Sequence, residues 1–100
     1  MAGLAERWIW KPKPGCLDEF IKLNQAEIQR FPRIPARLYY CGTLSDFGPM
    51  GCVVWEGEFE TADQRDKFWT EWWSQPEGQE FAAKAYELAE NVGHEMWTML

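Results

Sequence analysis

The sequence predicts an α+β domain in which one antiparallel sheet carries its helices on a single face. Two observations indicate this class. Apolar residues recur at helical spacing in two separate stretches, and short segments rich in strand-forming residues lie before, between and after them. Along the 100 residues these segments give the order βαββ(αα)β, and the length is typical of one domain, which we assign to residues 1–100.

The first strand and the first helix flank a proline-rich break. Residues 4–11 are rich in Trp and Ile and are predicted to form the strand. Two prolines within residues 11–15 lack an N–H donor and therefore end it. Apolar side chains at helical spacing then predict a helix over residues 17–31, which Pro32 ends.

Residues 36–44 and 51–60 are predicted to be the two strands of an antiparallel hairpin. Residues 45–49 between them (SDFGP) have turn chemistry. Pairing the strands about this turn sets Cys41 nearly opposite Cys52. Three cysteines without CxxC spacing are typical neither of a disulfide framework nor of a zinc site, so we expect free thiols, with a Cys41–Cys52 bridge as the alternative.

The second helical region and the last strand complete the chain. Thr61 is the predicted N-cap of a helix that carries the Trp-rich segment and is interrupted at residues 74–78. Apolar spacing predicts that the helix resumes over residues 79–92 and stops at Gly93, acting as a C′ glycine. Residues 94–100 are the predicted last strand.

This layout predicts a second copy of the chain. Helical crossovers between strands of one antiparallel sheet, with the helices on one face, make a ferredoxin-like domain, and the other sheet face is then bare. The chain is 46% hydrophobic and 16% aromatic with seven Trp, which is more apolar surface than one layer of sheet and helix hides. We therefore expect a homodimer whose bare faces pack into a dimeric α/β barrel.

Charge and motifs exclude several classes of function. A net charge of −6 without a basic stripe disfavours nucleic-acid binding. No apolar run approaches the length of a membrane span and no signal peptide is visible, so we expect a cytoplasmic protein that does not bind membranes. One histidine, no clustered Asp and no glycine-rich nucleotide motif predict neither a metal site nor a cofactor.

Aromatic residues are placed to enclose a pocket between sheet and helices. Trp8 and Trp10 share a strand face, while Trp69, Trp72 and Trp73 lie on one helical turn. If Trp8 and Trp10 face the helices, the five rings suit a flat aromatic ligand, and their indole N–H groups supply donors. Plain core packing is the alternative. The predicted ligand-contacting residues are Trp8, Trp10, Asn24, Trp69, Trp72, Trp73 and Phe81.

Three side chains are candidate catalysts. His94 is the single histidine, the residue type used most often as a general base, and it opens the last strand; the alternative is a histidine exposed to water or bonded to a carbonyl. Tyr39 and Tyr40 point to opposite faces of the second strand, so only one reaches the pocket, and Tyr86 lies at the edge of the last helical stripe. Asn24 interrupts the first apolar stripe and must bond to backbone, water or a ligand. The predicted catalytic set is His94, Tyr40 and Tyr86.

The sequence resembles the domains of the NIPSNAP family, which belong to the dimeric α/β-barrel superfamily. The segments that carry the resemblance are residues 13–15 (KPG), 17–21 (LDEFI) and 53–60 (VVWEGEFE), followed by Arg65, Phe68, a Pro-containing break and Phe81. The superfamily also contains antibiotic-biosynthesis monooxygenases, haem-degrading monooxygenases and polyketide cyclases. The resemblance implies a pocket between the sheet and the helices of one protomer.

The catalytic residues of two relatives do not transfer to this chain. Haem-degrading members use an Asn on the first strand, where this chain has Trp8, and a His whose region here, residues 81–85, contains none. Cyclases use a Tyr and a His around the helix break, where this chain has Trp72 and Gly78. The predicted pocket and the resemblance to the superfamily still favour an enzyme: a cofactor-independent oxygenase, cyclase or lyase acting on an aromatic or hydrophobic metabolite in a biosynthetic pathway. A non-catalytic protein that binds haem or another ligand, or a structural dimer, is the alternative.

Overall fold

The computed structural model describes residues 3–42 and 51–100. Its elements confirm the predicted order βαββ(αα)β. They are β1 (Leu4–Pro12), α1 (Leu17–Arg30), β2 (Ala36–Cys41), β3 (Cys52–Phe59), α2 (Ala62–Trp73), α3 (Pro76–Leu88) and β4 (Ala89–Thr98). The predicted turn at residues 45–49 and the predicted end of the second strand lie outside the described residues.

The four strands form one antiparallel sheet in the order β2-β3-β1-β4, with the helices on one face. In the centre of the sheet, Trp8 of β1 lies opposite Trp55 of β3 and His94 of β4. Since side chains alternate along a strand, Glu6, Trp8 and Trp10 all face the helices. This is the strand orientation that the predicted pocket requires.

The helices bury two apolar clusters against this face of the sheet. One cluster consists of Trp10, Phe20, Val53, Ala85, Leu88 and Ala89. The other consists of Phe31, Phe59, Phe68 and Trp72. Thr61 caps α2 as predicted, because its Oγ1 accepts a hydrogen bond of 3.1 Å from the backbone N–H of Gln64. Among the described residues, none of the helices has the length and apolar character needed to cross a membrane.

The predicted end of the last helix is wrong. Apolar spacing predicts a helix up to Val92, but α3 ends at Leu88 and β4 begins at Ala89. From Ala89 onward the backbone pairs with β1, starting opposite Pro12. Apolar spacing alone does not show this change, because the pairing depends on a strand almost 80 residues earlier in the chain.

Two further assignments next to α3 also change. Gly93 is not a C′ residue: it lies inside β4 opposite Ile9, where an added Cβ would stand 3.1 Å from the Ile9 Cδ1. The glycine therefore permits close packing within the sheet. The helix also begins earlier than Gln79, at Pro76, since proline needs no N–H partner in the first helical turn.

The sheet face away from the helices is uncovered in the described chain and carries ion pairs. Arg7 Nε lies 2.7 Å from Glu56 Oε2, and Arg37 Nη2 lies 2.7 Å from Glu58 Oε1. Tyr39 also lies on this face and is half exposed. Cys41 lies directly opposite Cys52, as predicted, and both are free thiols.

Candidate functional site

A cavity of about 300 Å³ lies between the sheet and the helices. All seven residues predicted to contact a ligand line it. Trp8 and Trp10 come from the sheet, while Asn24, Trp69, Trp72, Trp73 and Phe81 come from the helices. The volume is at the lower end of the range for small-molecule pockets, which suits a compact ligand.

The aromatic wall is built mainly from edge-to-face contacts. Trp69 stands edge-on to Trp8 with ring centroids 6.4 Å apart, and edge-on to Trp72 at 5.5 Å. Trp72 in turn meets Phe81 edge-on at 5.8 Å. Edge-to-face pairs of this kind are favourable beyond the area they bury, so each ring restrains its neighbours.

Of the three candidate catalysts, Tyr86 is the one placed at the cavity. It lines the cavity, contacts Trp10 edge-on at 5.1 Å and is mostly exposed. Tyr40 lies on the helix side of β2, opposite Val53, but it is half exposed and is not among the described residues that line the cavity. His94 likewise does not belong to the described lining.

A buried carboxylate that the sequence reasoning missed lies behind the aromatic wall. Glu6 has 0% exposure, yet four nitrogen atoms surround its two oxygens. Arg65 donates from Nε at 3.2 Å and from Nη2 at 2.8 Å, and Trp69 Nε1 donates at 2.7 Å. His94 Nε2 lies 2.6 Å from Oε2. Together Glu6, Arg65, Trp69 and His94 form what we call the Glu6 cluster.

The Glu6 cluster keeps the carboxylate ionised. Burial by itself raises the pKa of Glu6, but the hydrogen bonds from Arg65, Trp69 and His94 outweigh this effect, so the pKa lies below its usual value. The hydrogen bond to Glu6 also raises the pKa of Arg65. Because an ionised carboxylate only accepts hydrogen bonds, the His94 Nε2 must carry a proton.

His94 supports the wall from outside the cavity. Its imidazole stacks on Trp8 with the centroids 3.9 Å apart and the planes 18° from parallel. Glu6 holds the Nε2 of His94, and Trp8 covers one face of the imidazole. The imidazole therefore fixes the orientation of the Trp8 indole and does not face the cavity. The Trp8 Nε1 is buried and has no hydrogen-bond partner among the described residues.

A second carboxylate holds the other end of the wall. Trp72 Nε1 donates to Glu27 Oε2 at 2.6 Å. Arg30 bonds both oxygens of Glu27 at 2.7 Å and also reaches Gln75 Oε1 at 2.6 Å. The hydrogen bond to Glu27 raises the pKa of Arg30. We call Glu27, Arg30 and Trp72 the Glu27 cluster.

The two clusters change the expected chemistry of the wall. The indole N–H groups of Trp69 and Trp72 bond to carboxylates, so the prediction that they serve as donors for a ligand is wrong for these two. Both charged side chains in the described lining, Glu27 and Arg65, are already paired with an opposite charge. The cavity therefore offers a ligand the apolar faces of restrained aromatic rings, and each charged side chain in its described lining is already neutralised by an opposite charge.

Asn24 is the buried polar side chain that faces this cavity from α1. It is 3% exposed, and its Nδ2 donates to the backbone carbonyl of Phe20 at 2.9 Å. That carbonyl can only accept, which assigns the amide nitrogen to it. The Oδ1 atom has no hydrogen-bond partner among the described residues.

Sequence signals for the missed carboxylates existed but were weak. Glu6 continues the alternation of Trp8 and Trp10 and therefore points inward, while Glu27 follows Asn24 by one helical turn. A charged residue in such a place is ordinarily interpreted as exposed, because burial needs partners. All three partners of Glu6 lie 59 to 88 residues away, and Trp72 lies 45 residues from Glu27; Arg30, three residues from Glu27, is the local exception. In residues 3–42 and 51–100 no group of three or more His, Cys, Asp and Glu is placed to hold a metal ion.

Comparisons with known proteins support the fold. No protein-family model and no curated protein matches the chain. A NIPSNAP family protein from Agrobacterium tumefaciens has a similar structure, with a TM-score of 0.73 and 19% identity over 98% of this chain and 84% of that chain. A NIPSNAP-like domain protein from Burkholderia xenovorans gives a TM-score of 0.69 and 23% identity over the same shares.

A putative antibiotic biosynthesis monooxygenase from Chloroflexus aurantiacus also has a similar structure, with a TM-score of 0.70. It is 11% identical over 98% of this chain and 93% of that chain. At such low identities the likeness shows the fold alone. The resemblance found in the sequence is confirmed at that level: this chain has the ferredoxin-like fold that these NIPSNAP structures also have.

Proposed function

We propose that this protein binds a flat, uncharged aromatic or hydrophobic metabolite in the Trp-lined cavity. The observation that carries this proposal is the aromatic wall held at both ends by an arginine-paired carboxylate. A wall fixed before binding loses little side-chain entropy when a ligand enters, so more of the contact energy appears as affinity.

The balance of charges supports an uncharged ligand. Arg65 is neutralised by Glu6, and Glu27 by Arg30. A charged ligand would be desolvated without gaining an unpaired opposite charge, which costs several kcal/mol in an apolar site. Flat apolar molecules gain contact with ring faces and give up little hydration. Haem, the alternative ligand, would lack a histidine ligand here, since His94 lies behind Trp8.

Titration with naphthalene-sized aromatic molecules, followed through tryptophan emission, tests the proposal. Ala82 lines the cavity, whereas its neighbour Ala83 is exposed. Ala82→Phe places a ring in the cavity and is expected to weaken binding at least 10-fold. Ala83→Phe adds the same ring outside and is expected to bind like the wild type. Equal binding by both variants, with circular dichroism showing that both are folded, would contradict the proposal.

Proton transfer to the bound ligand is a second candidate function, and the position of Tyr86 favours it. The Tyr86 side chain lines the cavity, and its hydroxyl has no hydrogen-bond partner in the described part of the chain. A hydroxyl in this place can act as a general acid or base in a cofactor-independent cyclase, lyase or oxygenase of a biosynthetic pathway. Tyr86→Phe is expected to retain ligand binding and lose turnover. Unchanged turnover would remove Tyr86 from the mechanism.

We also propose that the protein is a homodimer that pairs the two uncovered sheet faces. The half-exposed Tyr39 and Trp97 and the Arg–Glu pairs on this face can complement the same groups of a second copy. Tyr39 and Tyr40 offer a matched test, because they are 47% and 51% exposed on opposite faces. In size-exclusion chromatography with light scattering, Tyr39→Lys is expected to be monomeric and Tyr40→Lys dimeric. A monomeric wild type at micromolar concentration would contradict the proposal.

A further inference from the structure

The polar atoms of the cavity wall differ in how many hydrogen bonds they already make. Glu27 accepts two hydrogen bonds at Oε2 and one at Oε1. Arg65 bonds Glu6 through Nε and Nη2, while Nη1 lies 3.4 Å from Asp66. These groups are therefore largely used by the protein itself and offer little to a ligand.

Asn24 differs from these groups, because its amide nitrogen makes a hydrogen bond within the protein and its amide oxygen makes none in the described chain. The Nδ2 is held by the Phe20 carbonyl one turn earlier in α1, and this bond fixes the orientation of the amide. Its Oδ1 has no hydrogen-bond partner within residues 3–42 and 51–100, and Asn24 as a whole residue is 97% buried in the cavity wall. Oδ1 is not among the fully buried atoms without a partner in the described chain, so it keeps access to the cavity. A ligand that covers this oxygen removes its hydration, which costs free energy unless the ligand brings a donor.

We infer that Asn24 Oδ1 selects the ligand, and that the ligand is an uncharged flat aromatic molecule with one O–H or N–H donor at its edge. The inference rests on the proposed binding function and adds to it the chemical class, phenols or aromatic N–H heterocycles. The ring packs on the indoles, and the donor satisfies Asn24. A ligand without the donor leaves Oδ1 unpaired, so it binds less tightly than shape alone allows.

A pair of nearly equal-sized ligands isolates this hydrogen bond. The probes are 2-naphthol, which carries the donor, and 2-fluoronaphthalene, which does not, and tryptophan emission gives both dissociation constants. The measured quantity is their ratio in the wild type and in Asn24→Leu, which removes the acceptor and keeps a similar volume. Since an unsatisfied buried group costs about 1–3 kcal/mol, the preference for 2-naphthol is expected to fall by about 5-fold or more in the variant.

Two further variants control for shape and folding. Ile28→Val changes an apolar lining residue one turn further along α1 and is expected to affect both probes equally. Asn24→Met repeats the test with an unbranched side chain if Asn24→Leu is not folded. If both probes bind and the ratio is the same in the wild type and the Asn24 variants, the role of Asn24 is refuted while the proposed function stands. If neither probe binds the wild type, both proposals fall.

Discussion

Replacing Glu6 by Gln tests whether the Glu6 cluster holds the fold together. Glutamine keeps the shape of the side chain but turns one carboxylate oxygen into an NH₂ group. At present Oε1 accepts from Arg65 Nε and Trp69 Nε1, while Oε2 meets Arg65 Nη2 and His94 Nε2. If the NH₂ group takes the place of Oε1, it faces the donors of Arg65 Nε and Trp69 Nε1. If it takes the place of Oε2, it faces Arg65 Nη2, while His94 Nε2 can accept from it in the other tautomer.

The expected loss of unfolding free energy follows from these contacts. A hydrogen bond to a charged group contributes about 1.5–3 kcal/mol and one between neutral groups about 0.5–1.5 kcal/mol. In the better orientation the Arg65 Nη2 bond is lost and the bonds of Trp69 and His94 become neutral, which suggests about 3–5 kcal/mol. Arg65 keeps 29% side-chain exposure, so water compensates part of its unpaired charge. We therefore expect the lower value, about 3 kcal/mol of unfolding free energy, equivalent to a fall in Tm of roughly 12–24 °C for a domain of this size.

Urea denaturation followed by tryptophan emission measures this loss, because Trp69 reports directly on the cluster. Glu87→Gln is the matched control: it removes a carboxylate from an ion pair with Lys84 on the surface of α3, away from the uncovered sheet face, where the Glu87 side chain is 69% exposed. The urea midpoint of this control is expected to stay at the wild-type value. A Glu6→Gln protein within about 1 kcal/mol of the wild type would refute the assignment of a structural role to the cluster.

The same variant predicts a pH dependence. The pKa of Glu6 is lower in the folded state than its ordinary value of 4.5, so folding favours the ionised form. The stabilisation is therefore present above pH 4.5 and is lost as the pH falls through the lower folded-state pKa. The gap in stability between the wild type and Glu6→Gln should be largest near pH 7 and should narrow in acid. A gap that widens in acid would contradict this sign.

Three further predictions concern local contacts. Gly78→Ala should destabilise the fold by about 1–3 kcal/mol in urea, because the added Cβ would clash with the Trp72 carbonyl oxygen; unchanged stability would show that the helix break adjusts freely. Thr61→Ala should cost about 1 kcal/mol in thermal unfolding through loss of the α2 cap, and an equal Tm would exclude that role. Cys52 should react with an aromatic disulfide more slowly than Cys41, because Cys52 is buried and burial raises the pKa of its thiol; equal rates in the folded protein would contradict this.

Much of the fold and the aromatic lining of the cavity could be predicted from local sequence patterns. Strand alternation predicts that Trp8 and Trp10 lie on one face of β1, and helical spacing predicts that Trp69 and Trp72 lie on one face of α2. All four line the cavity. The cap at Thr61 was equally local. These features depend on residues within a few positions of one another, where strand and helix periodicities apply directly.

The sequence by itself therefore determined the element order and which aromatic side chains meet, while the tertiary structure decided how the Trp-lined cavity is held and which of its atoms stay free. Glu6 is buried because Arg65, Trp69 and His94 reach it from positions 59, 63 and 88 residues away. Periodicity indicates the face on which a side chain lies, but not which donors arrive there from other elements. Because burying a carboxylate is favourable only when those donors are present, the chemistry of this cavity is a property of the folded chain.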